Sequence, residues 1–131
     1  MRHLHTDKAP KAIGPYSQSV AVNGLLFTSG QIPLCPESGE IIGDDIKTQT
    51  AQAMENLKAI IENEGCHMDD VVKTTCFLAN MSDFADFNEV YGTFFNKFPA
   101  RSCIAVKDLP KAVLVEVEAI VKLNESLILH V

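Results

Sequence analysis

Residues 113–121 read Val-Leu-Val-Glu-Val-Glu-Ala-Ile-Val, and this run restricts the fold more than any other part of the chain. The period of two in a strand puts Val113, Val115, Val117, Ala119 and Val121 on one face. Leu114, Glu116, Glu118 and Ile120 share the other. The first face is wholly apolar and the second half apolar, so both need cover. Two helical stripes are available. The first runs Ile46, Thr50, Ala53, Met54, Leu57, Ile60 and Ile61, with Asp44 or Asp45 to cap it and Gly65 just past its end. The second runs Phe84, Phe87, Tyr91, Phe94 and Phe95, capped by Ser82 or Asp83 and stopped by Pro99. Two helices cover one face of a sheet. A chain of 131 residues is one domain's worth, so a second copy is the expected cover for the other face.

The remaining strands follow from local chemistry. Residues 17–22 and 25–31 are β-prone and flank Asn23-Gly24, the signature of a two-residue hairpin. Residues 71–78 and 102–106 read as two more, with a turn through Leu109-Pro110-Lys111 before the last strand. A further short strand is expected near His3–His5. The order is β-β-α-β-α-β-β, an α+β domain with one mixed sheet and both helices on one face. It spans residues 1–131 as a single unit, with 1–8 and 123–131 read as terminal extensions. No role is assigned to the tail from Asn124 to Val131.

The formal charge of −6 gives no general attraction for a phosphate backbone. A single well-placed arginine would still suffice for a small anion. No window has the apolar length of a membrane span, and the first residues lack the apolar core of a signal peptide. A soluble, cytoplasmic protein is expected. Cys35, Cys66, Cys76 and Cys103 are scattered, and His3, His5 and His130 lie near the termini, apart from His67. Neither a metal site nor an intramolecular disulfide is expected from these spacings.

Few residues carry chemistry. Glu116 and Glu118 stand about 7 Å apart on an apolar face, costly to bury without partners. Arg101 shares a face with Cys103 and Ala105 on the preceding strand. Strands joined by a short turn are expected to be neighbours, so Arg101 and the glutamates would share a surface. A solvated edge or a structural ion pair fits the same pattern. Asn88 interrupts the aromatic stripe and is either a satisfied core amide, which the pattern favours, or one facing a polar pocket. Ser29 precedes Gly30 at a strand end, with no histidine pattern to activate it. Tyr16 follows Gly14-Pro15 and is either a pocket rim or a packing ring. Cys103 reads first as a small buried side chain.

Five segments together resemble the RidA/YjgF family, also catalogued as the L-PSP endoribonuclease family. They are Ile13-Gly14-Pro15-Tyr16-Ser17-Gln18, Thr28-Ser29-Gly30-Gln31-Ile32-Pro33, Phe87-Asn88-Glu89-Val90-Tyr91, Pro99-Ala100-Arg101-Ser102-Cys103 and Val115-Glu116-Val117-Glu118-Ala119. The resemblance implies a chorismate-mutase-like fold and a homotrimer with clefts between subunits. It implies hydrolysis of enamine/imine products such as 2-aminoacrylate to 2-keto acids and ammonia. The chain itself would carry no cofactor, because the pyridoxal phosphate belongs to the enzyme upstream. By the same resemblance Arg101 binds the substrate carboxylate and Glu116 handles the attacking water. Ser29 helps to hold the substrate, Tyr16 and Asn88 line the cleft, and the Cys103 carbonyl orients the water. Three departures stand out: a short Asn96-Lys97-Phe98 loop beside the expected cleft, Ala105 in place of a polar residue, and the extra tail. The alternatives are a ligand-sensing regulator that uses Arg101 without Glu116, and a ribonuclease or translation inhibitor.

Overall fold

The computed structural model describes residues 1–124; the tail from 125 to 131, with His130, lies outside the described residues. The elements are β1 (Arg2–Leu4), β2 (Ser19–Val22), β3 (Leu25–Thr28), α1 (Ile46–Asn63), β4 (Val71–Leu78), α2 (Phe84–Tyr91), β5 (Ala100–Ala105) and β6 (Val115–Lys122). One six-stranded sheet has the order β1-β2-β3-β6-β4-β5. β4 and β5 run parallel and every other pair is antiparallel, so the sheet is mixed.

Local chemistry explains most boundaries. Asn23 and Gly24 take φ of 51° and 78°, the two positive values of the turn that best matches a twisted hairpin. Asp45 caps α1 by accepting the Thr48 N–H at 3.1 Å. Asp83 stands at the start of α2 but makes no side-chain cap bond, because a 3₁₀ turn at Met81–Asp83 leads directly into the helix. α2 ends at Tyr91, earlier than its aromatic stripe suggests, and tightens into a 3₁₀ turn at Gly92–Phe94. The fold engages the start of both segments read as extensions. β1 pairs with β2, and Leu123 is buried with its N–H donating to the Gly24 carbonyl at 3.0 Å.

The last strand lies inside the sheet, between β3 and β4, with its valines on one face and Glu116, Glu118 and Ile120 on the other. Val115, Val117, Ala119 and Val121 are buried with Cys76 and Leu78 of β4 beneath Ala53, Met54, Leu57 and Ile61 of α1 and Phe87 and Tyr91 of α2. Both helices therefore cover one face. The other face carries Phe27, Phe77, Ile104 and Ile120, with Phe27 and Ile104 40% and 48% exposed.

One expectation is corrected. β5 and β6 are not neighbours, because β4 lies between them. The helical crossover β4-α2-β5 returns the chain to the same end of the sheet, so β5 adds parallel to β4 at the edge. In register, Arg101 pairs with Thr74 and Cys103 with Cys76, which itself faces Val117. Glu116 pairs with Phe77 and Glu118 with Thr75. Arg101 and Glu116 thus project from opposite faces of the sheet.

Three buried amides pin the loops. Gln18 accepts the Thr6 N–H and donates to the Thr6 and Pro10 carbonyls. Gln49 accepts the Leu114 N–H and donates to the Gly43 carbonyl. Asn56 donates to the Ile32 and Leu34 carbonyls at 3.0 and 2.9 Å. Asn56→Ala removes a donor from each carbonyl, leaving that of Ile32 with the Leu34 N–H at 2.8 Å and that of Leu34 with the longer Gln52 bond at 3.4 Å, and is expected to cost about 2 kcal/mol. That corresponds to a melting temperature roughly 5–10 °C lower. An unchanged melting curve would show that the loop holds without this anchor.

Candidate active site

β5 delivers Arg101 to the edge of the helix-covered face, where α2 meets it. Its Nη1 donates to Asn88 Oδ1 at 2.7 Å. The guanidinium carbon stands 5.1 Å from the Tyr91 ring centre, 5.4 Å from that of Phe84 and 5.9 Å from that of Phe87. Asn88 thus has an explanation that its place in the stripe does not supply: it turns the guanidinium toward open space. A cavity of about 340 Å³ opens there, lined by Asn88, Tyr91, Phe98, Pro99 and Arg101. No carboxylate pairs with Arg101 among the described residues, and most of its five N–H donors are free for a ligand.

A second cluster gathers where β3 ends. Ser29 donates its hydroxyl to the Ser17 carbonyl at 2.6 Å and its N–H to the Gln18 carbonyl at 2.9 Å. The Ser29 proton is therefore committed to main chain and is not activated for attack. Gln31 and Val117 exchange both main-chain bonds, at 2.8 and 3.0 Å, which sets Gly30 against β6. A Cβ on Gly30 would overlap the Glu116 carboxylate, so the glycine supplies the space that this side chain fills. Tyr16 is 46% exposed, accepts the Ile13 N–H at 3.3 Å, and shares a shallow depression with Gly30, Gln31 and Ile32.

The electrostatics differ between the two clusters. Burial pushes the Glu116 carboxyl above the usual carboxylate range, and Glu118 on the same face adds to this. Burial also raises the Cys103 thiol, against the opposing pull of Arg101, and carries Cys76 up to about 12. Both stay protonated thiols at neutral pH, unsuited to nucleophilic attack. Among the described residues no group of three His, Cys, Asp or Glu side chains is placed to hold a metal ion.

The chain therefore brings Arg101, Asn88 and Cys103 to one face, and Ser29, Tyr16 and Glu116 to a separate region. Tyr91 and Phe98 join the first group without standing out as site residues in the sequence. Tyr91 reads there as core stripe, and its hydroxyl is in fact held by Thr74 at 2.7 Å. Phe98 lies in the short Asn96-Lys97-Phe98 loop that the sequence places beside the expected cleft, although no role is read for its ring there.

Comparison with known proteins gives a consistent picture. The family described as endoribonuclease L-PSP matches residues 6–123. AldR of Lactococcus lactis, provisionally named a regulator, is 54% identical over 95% of this chain and 99% of its own. TdcF of Escherichia coli, provisionally named a reactive intermediate deaminase, is 46% identical over 89% of this chain and 93% of its own. The crystal structure of TdcF with bound serine superposes with a TM-score of 0.91 at 44% identity, covering 95% of this chain and all of TdcF.

Proposed function

The chain belongs to the RidA/YjgF family, the endoribonuclease L-PSP family, and on that premise we propose that it hydrolyses 2-imino acids to 2-keto acids and ammonia in clefts between the subunits of a homotrimer. The observation that carries this reading is Arg101, a guanidinium oriented by Asn88 into an open cavity with no carboxylate partner among the described residues. A planar, two-pronged donor in that setting suits a carboxylate. The serine bound to TdcF is a ligand of the same carboxylate-bearing class.

The chemistry asks little of the protein. Arg101 holds the substrate carboxylate beside the imine carbon. Glu116 takes a proton from water as its oxygen bonds to that carbon, and the Cys103 carbonyl orients the water. That proton passes to nitrogen and gives a carbinolamine; its hydroxyl proton then follows through Glu116 to the amine as the C=O forms and the C–N bond breaks, releasing ammonia and a 2-keto acid. Orientation and one proton-handling group suffice for a reaction already fast in water. Because Arg101 and Glu116 leave the sheet on opposite faces, the site needs the arginine of one copy and the glutamate of another. The apolar face with Phe27 and Ile104 gives such copies a surface to share. Light scattering is expected to give a mass of three chains of 14.3 kDa; a stable monomer at micromolar concentration would remove the cleft.

The test couples an amino-acid oxidase or a serine/threonine dehydratase to the purified protein. Ammonia and keto-acid release from the imine is expected to rise with the protein present, and no acceleration would sink the reading. The provisional name of AldR favours a second reading, a sensor that binds the same ligand without turning it over. That sensor would need Arg101 and would be indifferent to Glu116. The −6 charge speaks against a nucleic-acid substrate.

A further inference from the structure

Phe98 is the most exposed phenylalanine described, at 73%, yet its surroundings hold it in place. It follows two residues fixed to one carboxylate. Asp69 Oδ1 accepts the Asn96 N–H at 2.9 Å and the Lys97 N–H at 3.3 Å, and its Oδ2 accepts Asn96 Nδ2 at 3.1 Å. These bonds hold the Asp69 carboxyl below the usual carboxylate range. Asp69 stands in the 3₁₀ turn Met68–Asp70 that leads into β4, so the loop before β5 is fastened to the start of its neighbouring strand. On the other side the Phe98 ring edge lies against Gly92, where an added Cβ would stand 3.8 Å away. A large apolar ring thus stands exposed on the single chain, lining the Arg101 cavity together with Tyr91 and Pro99. Folding gains little from a ring in that position. A ligand whose carboxylate is pinned by Arg101 has that wall within the same cavity.

Resting on the imino-acid reading above, we propose that Phe98 is the specificity-determining wall of this cavity, selecting acids with an extended apolar side chain, and that Asp69 is the residue that positions it. The cavity, about 340 Å³, is large enough for more than a methyl group. An apolar wall discriminates modestly, by about tenfold per well-packed group.

The test compares binding of two stable 2-keto acids, pyruvate and 4-methyl-2-oxopentanoate, by titration calorimetry on the intact protein. The wild type is expected to bind the larger acid about tenfold more tightly. Phe98→Ala is expected to bring that ratio near one, and Asp69→Ala to lower it with Phe98 still present. Asp69→Asn keeps an Oδ1 acceptor for both main-chain donors, and the Asn96 amide can turn over to meet its Nδ2, so this variant should restore the preference. A structural role alone would not produce a size-dependent ratio rescued by the amide. An unchanged ratio in Phe98→Ala, or no preference in the wild type, overturns the proposal. A parallel assay follows turnover of the imines an oxidase makes from leucine and alanine. If the binding preference holds and neither imine is hydrolysed faster, the wall stands and the deaminase reading falls.

Discussion

Arg101→Lys is expected to lower kcat/KM for imine hydrolysis about ten- to a hundredfold, the worth of one charge-assisted pair of about 1.5–3 kcal/mol. Lysine keeps the positive charge and loses the fork. In the native site one N–H is spent on Asn88 Oδ1 at 2.7 Å, which fixes the plane of the guanidinium and leaves a second edge for both oxygens of a carboxylate. A single ammonium cannot hold the amide and a carboxylate in that plane at once. It also lacks the flat surface that lies among Phe84, Phe87 and Tyr91. The loss should fall mainly on KM, measured in the oxidase-coupled assay. Wild-type kinetics in the lysine variant would remove Arg101 from the role of anchor.

Glu116→Gln is expected to lower kcat about a hundredfold, because an amide cannot accept the proton of the attacking water. Its shape is nearly unchanged, so it still fills the space left by Gly30 and should leave 2-keto acid binding intact. The pH profile gives a separate check. The base must be ionised to work, and burial together with Glu118 raises its pKa. Activity should therefore climb with pH through a midpoint above the usual carboxylate range, and that limb should vanish in the glutamine variant. Stability runs the opposite way. A carboxyl that holds its proton more tightly folded than unfolded favours the fold below the unfolded value of 4.5, and the advantage is lost as pH rises through the raised folded value. Wild-type turnover in Glu116→Gln would leave hydrolysis to substrate positioning alone.

The elements of this fold are legible because their causes are local. Asn23-Gly24 forces a hairpin, Asp45 caps a helix, and alternate valines mark β6. The pairing of strands is less local. Nothing between residues 106 and 114 announces that the chain passes over β4, so Arg101 and Glu116 look like neighbours in sequence and are not. The buried amides escape notice for a related reason. Gln49 and Asn56 sit on a helix where polar residues usually face water, and their partners lie 65 and 22 residues away. Within the site, Asn88 is visible as a polar break in an aromatic stripe. The short loop with Phe98 is visible as a departure, but Asp69 is ordinary until the fold brings its 3₁₀ turn against that loop.

The opposite-face placement of Arg101 and Glu116 has a genetic consequence. If each cleft takes its arginine from one chain and its glutamate from the next, two inactive proteins can repair each other. Arg101→Lys chains still carry an intact Glu116, and Glu116→Gln chains an intact Arg101. Unfolded together, mixed in equal amounts and refolded, they should distribute at random among trimers. About a quarter of the clefts would then join the two unaltered halves, and activity should return to about that fraction of wild type. A site contained within one chain would show no such complementation, since every chain in the mixture carries one defect.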